Sequence, residues 1–123
     1  MSRDMAYLLD VLLMAKDIRD FTREINKNTF VSDRKTQYAV IRCFEVIGEA
    51  VKRLSHDIRK TYPDIPWASM AKMRDLLIHM YDKVDVDKLW DTARNDIPTL
   101  ITVLERIVPP EEKIYSKKKR QRK

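Results

Sequence analysis

Three residues past the middle of the chain have types and spacing suited to acid–base chemistry on an anion: Arg74, Asp75 and His79. A guanidinium stays charged and forks onto phosphate oxygens. An imidazole titrates near neutrality, so it can serve as base or acid. Asp75 and His79 are four apart, the spacing at which side chains meet on a helix surface. A carboxylate there can orient the ring and favour its protonated form. Arg74 and His79 are five apart, about 140° around a helical wheel. One straight helix therefore does not bring them onto one small ligand. Two copies facing each other across a symmetry axis do, with one chain's arginine beside the other's histidine; a bend in the helix is the other route. The spacing also fits a plainer alternative, with His79 a polar residue at the rim of a helical core. His56 stands among Ser55, Asp57 and Arg59 and reads as solvated. Cys43 is the only cysteine, so no internal disulfide is possible. It reads as a small core residue on a helix and fits a reducing cytoplasm.

Helices must position these residues. Glycine occurs once, at Gly48, and neither Asn-Gly nor Asp-Gly is present, which disfavours tight hairpins and sheets. Four apolar seams in steps of three and four predict four helices. The first runs through Tyr7, Val11, Met14, Ile18, Phe21 and Ile25, with Ser2 as N-cap. The second starts at Ser32 or Asp33 and follows Val40, Phe44, Ile47, Val51, Leu54 and Ile58. Gly48 lies inside it at a cost of roughly 1 kcal/mol against alanine, which a closely approaching neighbour would explain. Tyr62-Pro63-Asp64-Ile65-Pro66 forces a link. The third helix starts near Pro66 or Trp67 and reaches about Tyr81. The fourth is capped by Asp85 or Asp87, carries Trp90, Ala93, Ile97, Leu100, Leu104 and Ile107, is bent or split at Pro98, and stops at Pro109-Pro110.

The pattern predicts an all-α domain over residues 1–110, an antiparallel four-helix bundle, followed by a disordered basic tail over 111–123. The third helix is apolar on several sides, which favours a dimer interface along it. The net charge of +6 comes from the tail. Lys117, Lys118, Lys119, Arg120, Arg122 and Lys123 hold six basic charges, and without them nineteen basic residues face nineteen acidic ones. Such a tail can hold RNA through phosphate contacts or simply stay solvated. No signal peptide and no window of 18 uncharged apolar residues is visible, so the expectation is a cytoplasmic protein with no membrane partner. No cofactor or metal is called for.

The run from Trp67 to Tyr81 resembles the HepT-like family of the HEPN superfamily. That family's signature is an arginine, four to six residues, a histidine, any residue and a tyrosine; Arg74, His79 and Tyr81 match it. Ile47-Gly48-Glu49-Ala50, Val84-Asp85, Leu89-Trp90 and Asp96-Ile97-Pro98 extend the likeness over roughly residues 1–108. The resemblance implies a metal-independent ribonuclease, homodimeric, with both signature motifs lining one cleft. It implies a toxin of a toxin–antitoxin pair, with an MntA-like minimal nucleotidyltransferase as antitoxin that silences it by transferring AMP to Tyr81. Asp75 departs from the asparagine common at its position. It adds a negative charge near phosphate, or serves His79 as an accessory group. On this reading His79 is the general acid/base and Arg74 the phosphate clamp. A competing reading keeps the helical fold and makes the chain a non-catalytic partner of a nucleotidyltransferase. Another makes it a structural helical dimer whose polar residues fix register.

Overall fold

Side chains that meet free backbone amides mark where most of the helices begin. The computed structural model describes residues 2–79 and 84–109, with the backbone alone for Asp75, Leu76, Ile78 and His79. All regular structure among these residues is helical: α1 (Arg3–Thr22), α2 (Lys27–Ser32), α3 (Arg34–Lys52), α4 (His56–Thr61), α5 (Trp67–His79), α6 (Val86–Asp91), a π turn (Thr92–Asp96) and α7 (Ile97–Ile107). Ser2 accepts from the Met5 amide, as expected, and Asp33, rather than Ser32, caps α3 through the Thr36 amide. Asp85, rather than Asp87, caps α6 through the Lys88 amide.

Three boundaries differ from the apolar seams. The first seam runs on to Ile25, but α1 ends at Thr22. The Thr22 hydroxyl turns back to the Ile18 carbonyl at 2.8 Å, and Arg94 donates to the Thr22 carbonyl at 3.1 Å. Asn26 then caps α2, an element the seams do not anticipate, through the Thr29 amide. The second seam runs on to Ile58, but α3 stops at Lys52 and α4 begins after Ser55. Ser55 is a local competitor for backbone donors. Its hydroxyl caps the Ile58 amide, while Asp4 of α1 accepts its backbone N–H at 2.8 Å. Arg59 closes the break by donating to the Val51 carbonyl at the end of α3. The third boundary is at Pro98, where a bend or split is expected. Proline lacks an N–H, and its ring crowds the carbonyl four residues back. The chain meets this with the π turn just before it, so helix runs on from α6 to α7. The expected end of α5 near Tyr81, Pro110 and the tail lie outside the described residues.

The main packed pairs are α1 with α3, α3 with α5 and α1 with α7, so α3 sits between α1 and α5. Leu8, Val11, Ile18, Val40, Val51 and Leu104 are fully buried where α1, α3 and α7 meet. At the far end Phe30 of α2 packs on Trp90 with ring centroids 5.2 Å apart, and the Arg94 guanidinium lies over Trp90. Between α5 and α7 runs an apolar groove of about 600 Å³. Phe44 and Ile47 of α3 line it, with Met70 and Met73 on the α5 side and Leu100 and Val103 on the α7 side. This gives part of the reason α5 is apolar on several sides: Trp67 and Leu77 are buried, while Met70 and Met73 line the groove.

Leu104→Ala should cost about 2–5 kcal/mol, because its side chain is wholly buried. Replacing the exposed Arg106 by alanine should stay within about 0.5 kcal/mol. Urea denaturation of both variants checks this.

Candidate functional site

The site begins at the crossing of α3 and α5, and glycine decides how close that crossing is. A Cβ on Gly48 would come to 2.8 Å from the Arg74 Cγ and 3.1 Å from the Met70 carbonyl oxygen. The space a side chain would take is filled by the stem of Arg74 and the backbone of α5. The close neighbour expected from a glycine inside a helix is therefore α5, and the residue lying across the gap is Arg74.

Glu49, the next residue on α3, receives the head of that arginine. One Arg74 guanidinium nitrogen lies 2.9 Å from one Glu49 carboxylate oxygen. The other oxygen takes Arg53, with a guanidinium nitrogen at 2.9 Å. The Arg74 side chain is 27% exposed, so it is pinned at both stem and head while still reaching solvent. Hydrogen bonding from Arg53 and then the charge of Arg74 hold the Glu49 carboxyl below the usual carboxylate range. Arg53 and then Arg3 lie near Tyr7 of α1, and their positive charge favours the phenolate and lowers the phenol below its ordinary value. Together these residues make a polar seam across α5, α3 and α1.

Arg74 is thus placed on the α3-facing side of α5. The backbone of α5 continues helically to His79, which keeps the two positions about 140° apart on one helix. The side chains of Asp75 and His79, and the whole of Tyr81, lie outside the described residues. So do Lys117, Lys118, Lys119, Arg120, Arg122 and Lys123. His56 is exposed and Cys43 is buried, as expected. Burial, then the charge of Asp17, pushes the Cys43 thiol up to about 11, so it is not a ready nucleophile. Among the described residues no group of three His, Cys, Asp or Glu side chains is placed to hold a metal ion, and no helix is long and apolar enough to cross a membrane.

The residue that sequence reasoning left without a role is Glu49. Its signal was its place beside the one glycine inside a helix, within Ile47-Gly48-Glu49-Ala50. What the pattern lacked was which side chain would lie across the glycine.

Two outcomes follow. Alanine has the better helix propensity by about 1 kcal/mol, yet Gly48→Ala should destabilise by about 1–3 kcal/mol because its Cβ would collide with the Arg74 Cβ, which cannot yield without moving α5, and would crowd the Met70 carbonyl. A raised urea midpoint for Gly48→Ala contradicts the crossing. The second concerns pH. The Glu49 carboxyl is depressed in the folded state, so its contribution is present above the ordinary carboxylate value of about 4.3 and is lost as pH falls through the lowered one. The stability gap between the parent and Glu49→Gln should therefore be widest above about pH 5 and shrink toward pH 3. Melting curves across that range read it directly.

Comparison with known proteins adds the family. Residues 11–107 match the family described as Ribonuclease HepT-like. A protein of Thermococcus cleftensis named "Probable ribonuclease HepT" is 51% identical over 94 residues, covering 76% of this chain and 86% of its own. "Putative RNase MJ0125" of Methanocaldococcus jannaschii is 46% identical over 103 residues, covering 84% of this chain and 89% of its own. No solved structure matches the chain with significance. A family match over most of the chain, with relatives this similar along nearly their whole length, shows that the chain belongs to the Ribonuclease HepT-like family.

Proposed function

We propose that this chain is a metal-independent endoribonuclease that works as a homodimer, with Arg74 as phosphate clamp and His79 as general acid/base. Family membership supports the ribonuclease class. The observation that carries the assignment of Arg74 is its fixing by α3: its stem lies against Gly48 and its head on Glu49. A surface arginine without a role has no need of a glycine beneath it and a carboxylate at its tip. A clamp has that need, because preorganised charge works best when it does not have to reorganise during the reaction.

RNA supplies its own nucleophile. The 2′-oxygen attacks phosphorus while an imidazole takes its proton, and the P–O5′ bond breaks as the leaving oxygen gains a proton. Guanidinium charge stabilises the phosphorane between these steps. The products are a 2′,3′-cyclic phosphate and a 5′-hydroxyl. In a dimeric cleft one subunit's Arg74 stands beside the other's His79, which resolves the 140° separation on a single helix. Asp75, four residues before His79, is the accessory group for the imidazole.

The same reading makes the chain the toxin of a pair whose antitoxin is an MntA-like nucleotidyltransferase. Transfer of AMP to Tyr81 adds bulk and negative charge near the cleft, and both oppose RNA entry. The tail from Lys117 to Lys123 adds phosphate contacts that weaken as salt rises. The protein acts in the cytoplasm.

Purified protein should cleave single-stranded RNA in the presence of EDTA and leave cyclic phosphate ends. His79→Ala and Arg74→Ala should each lower the rate by about 10²–10⁴-fold. Cleavage that stops with chelator and returns with magnesium, or that persists in both variants, contradicts the mechanism.

A further inference from the structure

The polar seam continues past the clamp, and its far part has no role in the chemistry above. Arg53 stands at the C-terminal end of α3, with its side chain 55% exposed. It shares the Glu49 carboxylate with Arg74, so the two guanidinium groups flank a single carboxylate. Arg53 also lies close enough to Tyr7 of α1 for its charge to lower the phenol, and Arg3, exposed at the start of α1, flanks the same residue. The Arg3 guanidinium lies 5.7 Å from the centre of the Tyr7 ring. Three elements, α5, α3 and α1, thus contribute arginines in the order Arg74, Arg53, Arg3 along one surface line.

Local acids offset part of this line but not all of it, three guanidinium groups facing two carboxylates, Glu49 and Asp4. Glu49 is engaged between Arg53 and Arg74, and Asp4 is tied to the backbone N–H and hydroxyl of Ser55. Over residues 1–116 basic and acidic counts balance, so a run of arginines is a local feature and not a reflection of overall charge. Arginine forks onto phosphate oxygens, and an aromatic ring between two of them offers a face or edge to a base.

We propose that Arg53, Tyr7 and Arg3 form a second RNA subsite, contiguous with Arg74 through the shared Glu49 carboxylate. It takes phosphates of the strand that flank the one being cleaved. The proposal rests on the ribonuclease reading and deepens it: substrate is single-stranded RNA long enough to run from α5 across α3 to the start of α1. Arg53 and Arg3 bind and do not touch the reacting atoms. Removing either should weaken binding of long substrates.

The test measures binding, so it does not depend on cleavage. Full-length protein carrying His79→Ala is titrated with a fluorescent single-stranded RNA of about ten nucleotides at several salt concentrations. Arg53→Ala and, separately, Arg3→Ala are added to that background, with Lys35→Ala at the opposite end of α3 as control. Each subsite variant should weaken binding several-fold and reduce the slope of log K against log salt by about 0.7, the change expected when a single strand has one phosphate fewer neutralised by the protein. The control should do neither. Arg3→Ala leaves the Glu49 bridge intact, so it answers the question even if Arg53→Ala unsettles α3. Unchanged affinity and slope in both subsite variants overturn the subsite and leave the ribonuclease reading standing. No RNA binding by the His79→Ala parent overturns both.

Discussion

Everything specific about this site depends on how closely α3 and α5 can approach. Helices cross at a distance set by the side chains between them, and at this crossing α3 offers none. Gly48 lets the backbone of α5 come close enough for the Arg74 stem to lie across α3. Glu49, one residue on, then meets the guanidinium. A glycine inside a helix weakens that helix on its own terms. Here that weakness is offset by a fixed arginine, and the rest of the fold keeps α3 in place to receive it. Asp33 starts the helix, Arg59 closes its end, and α1 packs along its other side.

Arg74 is settled by contacts within its own chain. His79 stands five residues on along the same helix, and helical geometry turns it away by about 140°. No adjustment of rotamers brings those two positions together on a straight helix. The proposed mechanism answers this separation with a dimer, in which one subunit would bring the clamp and the other the acid/base. Arg74 and Arg53 are both tied to Glu49, so the charged groups here form a preformed array and are not loose side chains.

Much of the fold was legible because each signal had one local cause. Ser2, Asp33 and Asp85 cap helices as their residue types dictate, and Pro98 disturbs its helix where its ring crowds the preceding turn. The failures come where a long-range contact overrides an apolar seam. The second seam runs on to Ile58, but Asp4, fifty-one residues away, holds Ser55 and breaks the helix there. The first seam runs on to Ile25, but Arg94 takes the last carbonyl of α1 at Thr22. The site divides in the same way. Arg74 and its neighbours could be read from spacing and from the likeness to a family. Glu49 could not, because its role exists only once α5 is laid across Gly48.

Subunit complementation tests the central arrangement most directly. Arg74→Ala and His79→Ala chains are each prepared alone and also co-expressed, so that mixed dimers form, and RNA cleavage is compared. If the guanidinium of one subunit works beside the imidazole of the other, each mixed dimer holds one intact pairing and cleavage returns to a sizeable fraction of the parent's. If mixed dimers form and stay as inactive as either variant alone, the two groups do not meet across the dimer and the account fails.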